Sequence, residues 1–511
     1  MRFGPYHKAI RYERRNKTMI RKKLMRIPAL AIAASIAFSI TACGISNNNS
    51  EIVAQDTTSE TIVLTGSGED ITNSNDGEHA IEVSGETAEY SNIKVTKTGD
   101  SASGDEADFY GDNSAIFATD GATLTLTDIT VDTNGTHANA VFSYGSGTTV
   151  NISNSKITTS GNCSGGLMTT GGGTMNANNL DIHTTGDSSA AIRSDRGGGT
   201  VTVDGGSYVT DGKGSPAIYS TADITVNNAT LESTKSEGVV VEGKNSVTLN
   251  NVDLTADNNT HNSDKSDNYN AVMIYQSMSG DASVGLAKFS MSGGSLTNKT
   301  GDVFFVNNTA TTITLENVKI SNEDASGVFL RATAAGWGSE GSNGGKVDLY
   351  LKNQTLTGDI VVDKVSSLNM YLSSGTTYTG AVNTDNAGEV YVEIESGSKW
   401  ILSGDSYIAS LTCDSDAIDL NGHKLYVGGK EYSAGTSSTG TALEIVSESA
   451  SGAPQDGMPG EPPSGDRPGD PPSGDRPGDP PSGDPPSGNP PGDPPSGGNG
   501  EEPPAKPSEN N

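Results

Sequence analysis

The side chains in this sequence best suited to chemistry are few and lie far apart. Arg193-Ser194-Asp195-Arg196 sets two guanidinium groups beside a carboxylate, a set that could act with Ca²⁺ in lyase-style chemistry. No acidic column is expected to face it, so the second carboxylate that acid–base cleavage of a glycosidic bond needs is missing. Two acidic stretches offer hard oxygen ligands, one with Asp105, Glu106, Asp108 and Asp112, the other with Asp257, Asp264 and Asp267. Calcium is the ion such ligands suit, although neither stretch has EF-hand spacing. No other cofactor is indicated. The six histidines are scattered, with no His-x-x-x-His and no Cys-x-x-Cys, so a transition-metal site is not expected.

A second set of candidates lies in register along the chain. A small residue followed by an aliphatic one recurs, almost evenly spaced, at Ala115-Ile116, Ala140-Val141, Gly166-Leu167, Ala191-Ile192 and Ala217-Ile218. It returns at Gly238-Val239, Ala271-Val272 and Gly327-Val328. Two positions after each small residue stand Phe117, Phe142, Met168, Arg193, Tyr219, Val240, Met273 and Phe329. Side chains alternate across a strand. If Ile116 and Val141 point inward, this column points outward as an apolar and aromatic stripe with one arginine. Contiguous exposed apolar surface marks an interaction site, so Phe117, Phe142, Met168, Arg193, Tyr219, Met273 and Phe329 are the expected ligand-binding residues.

The elements that must position this column are repeats. A turn residue stands three positions before an apolar one at Asn92/Val95, Asp128/Val131, Asn154/Ile157, Asn179/Ile182, Asn228/Leu231, Asn251/Leu254, Asn317/Ile320 and Asn353/Leu356. Glycine takes the turn at Gly205/Tyr208 and Gly293/Leu296. Around the turn, Leu126 and Val131, Ile152 and Ile157, Val226 and Leu231, and Leu315 and Ile320 read as core columns. Lys94, Thr130, Lys156, Asp181, Ser207, Thr230, Asp253 and Lys319 read as a solvent column. Stacked Asn side chains at the turn are expected to hydrogen-bond as a ladder. A period of about 25 residues with three short β-runs and no helical pattern means an all-β solenoid, a right-handed parallel β-helix. A propeller blade would need four strands and a longer period.

The 511 residues carry a net charge of −31, yet residues 1–42 hold ten Lys/Arg and one Glu, leaving the remainder near −40. Such a surface repels nucleic acid. Residues 1–42 read as an export leader: Arg21, Lys22, Lys23 and Arg26 precede an apolar run from Ile27 to Ile40 that is too short to span a membrane comfortably. Initiation at Met19 or Met25 would give a leader of more ordinary length. Residues 43–66 are a polar tether, 67–356 the β-helix, and 357–447 its last rungs and a cap, with Asn421-Gly422 read as a hairpin turn. Residues 448–511 hold 19 of the 22 prolines, a composition that cannot bury a core. Cys163 and Cys413 fall on distant rungs, so no disulfide is expected.

Ile40-Thr41-Ala42-Cys43 resembles a bacterial lipobox, which implies that Cys43 becomes the lipid-modified start of an exported chain held at the cell membrane and exposed at the surface. With the repeat and the low-complexity tail, the chain resembles adhesin-like bacterial surface lipoproteins whose right-handed parallel β-helix has pectate-lyase-like architecture. It is also similar to carbohydrate-binding β-helix proteins of clostridial plant-fibre degraders. These resemblances imply adhesion or binding of an extracellular polysaccharide or a host or plant surface polymer. Galacturonan hydrolases of this fold carry Asn-Thr-Asp, Asp-Asp, Gly-His-Gly and Arg-Xaa-Lys motifs. Here Asn383-Thr384-Asp385 stands alone in the cap region, so no enzyme is expected. A β-helix lyase or hydrolase is the second reading, and a stalk without a ligand the third.

Overall fold

A computed structural model describes residues 63–446 apart from residue 102, with only the backbone of Val63 and Asp105. Cys43, the leader, residues 43–62 of the tether, the tail 448–511 and the Asp105 side chain lie outside the described residues. The described chain is nearly all β. A typical rung has strands Ile116–Thr119, Thr123–Thr127 and Thr130–Thr133, which lie parallel on Val141–Tyr144, Thr149–Ser153 and Lys156–Thr159 of the next. The last two strands of each rung through Lys319–Asn322, with one strand from each later rung, build one sheet of 22 strands, here termed the double sheet. The first strands, through Asp359–Val362, build a third face of 11 strands. The chain is a parallel β-helix.

The bend inside the double sheet is set by residue type. Asn92, Asp128, Asn154, Asn179, Asn228, Asn251, Asn317 and Asn353 all have φ between 46° and 53°. That left-handed region is costly for most L-residues and tolerated by Asn, Asp and Gly. The ladder forms in part: Asn179 Nδ2 donates to Asn154 Oδ1 at 2.9 Å, and Asn228 Nδ2 to Asp204 Oδ1 at 2.7 Å. Leu126, Val131, Ile152, Ile157, Val226, Leu231 and Leu315 are buried on one continuous core, with Ile320 at its margin. Each such side chain contributes roughly 1.5–3 kcal/mol by leaving water.

A second corner, between the double sheet and the third face, is built from two stacked columns. Gly135, Gly161, Gly186 and Gly212 lie so close that a Cβ on Gly161 would fall 1.9 Å from the Gly135 carbonyl oxygen, and one on Gly212 would fall 1.8 Å from that of Gly186. Three residues further on, Ser164 Oγ accepts from the Ala138 N–H, Ser189 Oγ from Ser164 and Ser215 Oγ from Ser189, at 2.8–2.9 Å. These buried hydroxyls satisfy backbone groups that the sharp corner leaves without strand partners. Everything carried between the two columns is thereby fixed from rung to rung.

The ends differ from expectation in two places. The first strand is Val63–Ser67, paired with Thr87–Ser91, so the β-helix begins inside the stretch read as tether. Near the other end the rungs shorten: Leu356, Tyr378, Trp400 and Ile418 stack in one column at smaller steps than the earlier rungs take. Asn421-Gly422 does turn, with φ of 47° and 85°, but it leads into Leu425–Val427, which pairs in parallel with Ser406–Ile408. The antiparallel hairpin forms one turn later, at Gly428-Gly429, because Leu425–Val427 folds back on Lys430–Glu431. Leu443 then lies against the double sheet, exchanging two 2.9 Å hydrogen bonds with Asn369.

Candidate binding cleft

The expected column exists and points out of the core. Phe117, Phe142, Met168, Arg193, Tyr219, Val240 and Met273 are successive partners across the third face. Their neighbours Ile116, Val141, Leu167, Ile192 and Ile218 face the main core. Two parts of the reading are corrected. The next member is Phe305, not Phe329: the register shifts between Val328 and Leu330, so Phe329 turns into the main core and Arg331 takes the outer place. The stripe is also not an exposed surface. Phe142 and Met168 are fully buried, and Phe117 and Met273 nearly so.

Insertions cover it from both sides. The first is spliced into the second corner, and its helix Asp105–Tyr110 reaches the column's margin, Tyr110 packing edge to face on Tyr144, which lies against the Phe117, Phe142 and Met168 cluster. The helix ends at Gly111, with φ 85°, where a Cβ would fall 2.2 Å from the Phe117 ring; only glycine lets the two meet. Thr170 Oγ1 holds the helix by donating to the Phe109 carbonyl at 2.7 Å. At the far end, the loop of residues 257–269 meets the loop of residues 333–344, the Gly336 N–H donating to the Lys265 carbonyl at 2.7 Å. This arch roofs Val240, Met273 and Phe305, with Trp337 packed against them.

Between helix and arch the column stays open over Arg193 and Tyr219. A cleft of ≈ 440 Å³ stands there, lined among others by Phe109, Arg193, Asp195, Tyr219, Asp281 and Trp337. A smaller cavity of ≈ 120 Å³ lies under the arch, lined by Tyr219, Met273 and Trp337 among others.

The charged groups of the cleft are locked in pairs. Arg193 reaches Asp108 of the helix at 3.2 Å and Asp195 at 2.9 Å. Arg196 holds Asp281 at 2.6 Å and lies 3.9 Å above the Phe109 ring, a cation–π contact. An acidic set therefore does face the Arg193–Arg196 stretch, contrary to the sequence reading. It comes from two insertions, one before and one after the third-face strands, which spacing alone does not bring together.

Burial pushes the Asp195 carboxyl up to about 6, Arg193 holding it back and Asp108 and Asp281 adding to the rise. Burial acts on Asp108 too, but Arg193 and hydrogen bonds from His137 and Asn139 outweigh it and hold that carboxyl below its ordinary value. Deeper in, the Tyr219 hydroxyl donates to Glu242 and lies 3.1 Å from the Tyr275 hydroxyl. Burial raises the Glu242 carboxyl, against hydrogen bonds from Ser277, Tyr219 and Tyr275. Tyr275 meets Trp337 edge to face, 5.2 Å between ring centroids.

Among the described residues neither acidic stretch brings three of its own carboxylates together. Asp108 is turned inward, and Asp112 accepts from the Ser101 and Ser103 hydroxyls. In the other stretch Asp257 accepts from Thr300 Oγ1 at 2.8 Å, while Asp264 stands exposed near His261. Among the described residues the one convergent set of three metal-ligating side chains is Asp108, His137 and Cys163. Sequence reading missed it, although His137 and Cys163 stand one rung step apart. It also missed Glu242 and Tyr275, which pair across neighbouring strands two places beyond the column.

No family model, no curated protein and no solved structure matches the chain.

Proposed function

We propose that this chain is an exported surface lipoprotein, anchored to the cell membrane through Cys43, that binds an extracellular polysaccharide in the cleft between helix and arch. The observation that carries the reading is the cleft's lining: arginine–carboxylate pairs on the floor, with Phe109, Tyr219 and Trp337 beside them. Sugar rings offer hydroxyls that hydrogen-bond to fixed charges, and C–H faces that lie against aromatic rings. Asp108, Asp195, Asp281 and Glu242 outnumber Arg193 and Arg196, and the whole chain is strongly acidic. An uncharged glycan is favoured over a polyuronate on that ground.

Affinity electrophoresis through gels containing soluble polysaccharides, with pull-down on insoluble ones, tests this. At least one neutral glycan retards the wild type, and Trp337→Ala abolishes the retardation. Equal retardation of Trp337→Ala, or none by any glycan, overturns the cleft as the site.

A glycoside-cleaving activity is the second reading. Asp195 is pushed up while Asp108 is held down, and a pair of carboxyls driven apart is how acid and base roles are divided. Release of reducing sugar by the pure protein, lost in Asp195→Asn, would establish it.

A further inference from the structure

We propose that Asp108, His137 and Cys163 bind one divalent transition-metal ion, with zinc the best match to their donors, where the insertion helix meets the β-helix corner. A carboxylate oxygen, a ring nitrogen and a thiol sulfur lie within 4.8 Å of one another. His137 Nδ1 is 3.3 Å from Asp108 Oδ2. Bound zinc would draw the donors to separations of about 3–4 Å, a side-chain adjustment.

The placement of the donors follows the covering helix. His137, Cys163, Ser188 and Gly214 occupy one corner column with φ of 54°, 55°, 55° and 63°. The chain uses imidazole and thiol on the two rungs next to Asp108, and serine and glycine where the cleft opens. A left-handed φ is uncommon for Cys, and His tolerates it better than most residues.

The surroundings suit a metal as well. Asn139 Nδ2 donates to Asp108 Oδ1 at 3.0 Å and Arg193 lies 3.2 Å from Oδ2, the outer contacts that orient a ligating carboxylate. One thiolate and one carboxylate neutralise a dication. Asp108 and His137 are buried while Cys163 is half-buried, so a fourth ligand position can face solvent. Thiolate with imidazole selects zinc or cobalt over calcium or magnesium. Because Asp108 also holds Arg193, occupancy would fix the helix that walls the cleft. The inference stands whether or not the cleft binds a glycan.

The full chain, treated with chelator and reductant, is titrated with Co²⁺. One equivalent binds, giving a thiolate-to-cobalt charge-transfer absorption that stoichiometric Zn²⁺ bleaches. Cys163→Ser removes the band, His137→Ala and Asp108→Asn weaken Co²⁺ binding by more than about 10-fold, and Zn²⁺ raises the melting temperature of the wild type alone. Absence of the band in the wild type overturns the site, as does its persistence in Cys163→Ser, which would place the thiolate at Cys43 or Cys413.

Discussion

The outer surfaces of the double sheet and of the third face obey the same alternation and come out opposite in character. On the double sheet up to Lys319 the outward positions are mostly Thr, Asn, Ser, Lys and Asp, with wet contacts such as Lys156 to Asp181 at 3.2 Å, both side chains 60% exposed. Outward aromatics come only on later strands, where Tyr350 stacks on Tyr371 at 4.6 Å. On the third face the outward column carries Phe, Met, Arg and Tyr, and insertions bury it except over Arg193 and Tyr219. A solenoid closes its own core rung by rung, so nothing in the repeat itself requires an apolar outer column. Its presence marks where additional chain must dock, and the gap between two docked insertions is where polar chemistry stays open.

That contrast can be broken at its apolar end. Phe142→Ala is expected to cost about 3–5 kcal/mol, although Phe142 lies outside the main core, because it leaves a void beside Phe117 and Met168, the cluster that Gly111 at the helix end and Tyr110 through Tyr144 pack against. Urea unfolding measures the loss. Hydrogen exchange should place the change in the helix and neighbouring rungs. A loss below about 1 kcal/mol would mean that the helix is not docked on the column.

A smaller effect sharpens the electrostatics of the third face. Asp195 is raised to about 6 by burial, with Arg193, Asp108 and Asp281 around it. A carboxyl raised on folding gives stability that is whole below its unfolded value and is lost as pH rises through about 4 to 6. Asp195 therefore costs the fold at most about 3 kcal/mol at neutral pH. Asp195→Asn should flatten the dependence of the melting temperature on pH in that window. An unchanged slope would mean that Arg193 fully compensates the charge.

At the polar end the expectation is near zero. Lys156→Ala should shift stability by less than about 0.5 kcal/mol, since an exposed pair gains little over hydration. Salt should change neither protein's unfolding midpoint relative to the other. A loss comparable to that of Phe142→Ala would erase the distinction between the faces.

Much of the fold is legible in the sequence, and the reasons are local. Asn154, Asn179 and Asn228 stand at left-handed φ because their short amides tolerate it, so turn residues alone mark the bends. The inward or outward sense of Ile116 and Phe117 follows from alternation. What does not follow is burial of the stripe, because the covering groups Asp108, Asp281 and Trp337 sit in insertions without the repeat's period. Phe329 fails for a related reason. One register shift between Val328 and Leu330 moves a side chain to the other face, and no composition signal announces it. The arginine stretch stands out in the sequence, but its partners do not, since Asp108 and Asp281 each lie several rungs away along the chain from Arg193 and Arg196.

The chain has two tryptophans, Trp337 beside the cleft and Trp400 fully buried in the core. Intrinsic fluorescence during titration with an oligosaccharide of a retained glycan therefore reports on the cleft directly. A saturable change in emission is expected in the wild type and none in Trp337→Phe. Binding confirmed by calorimetry with no change in the wild type, or the same change in Trp337→Phe, would place the ligand elsewhere and contradict the cleft as the binding site.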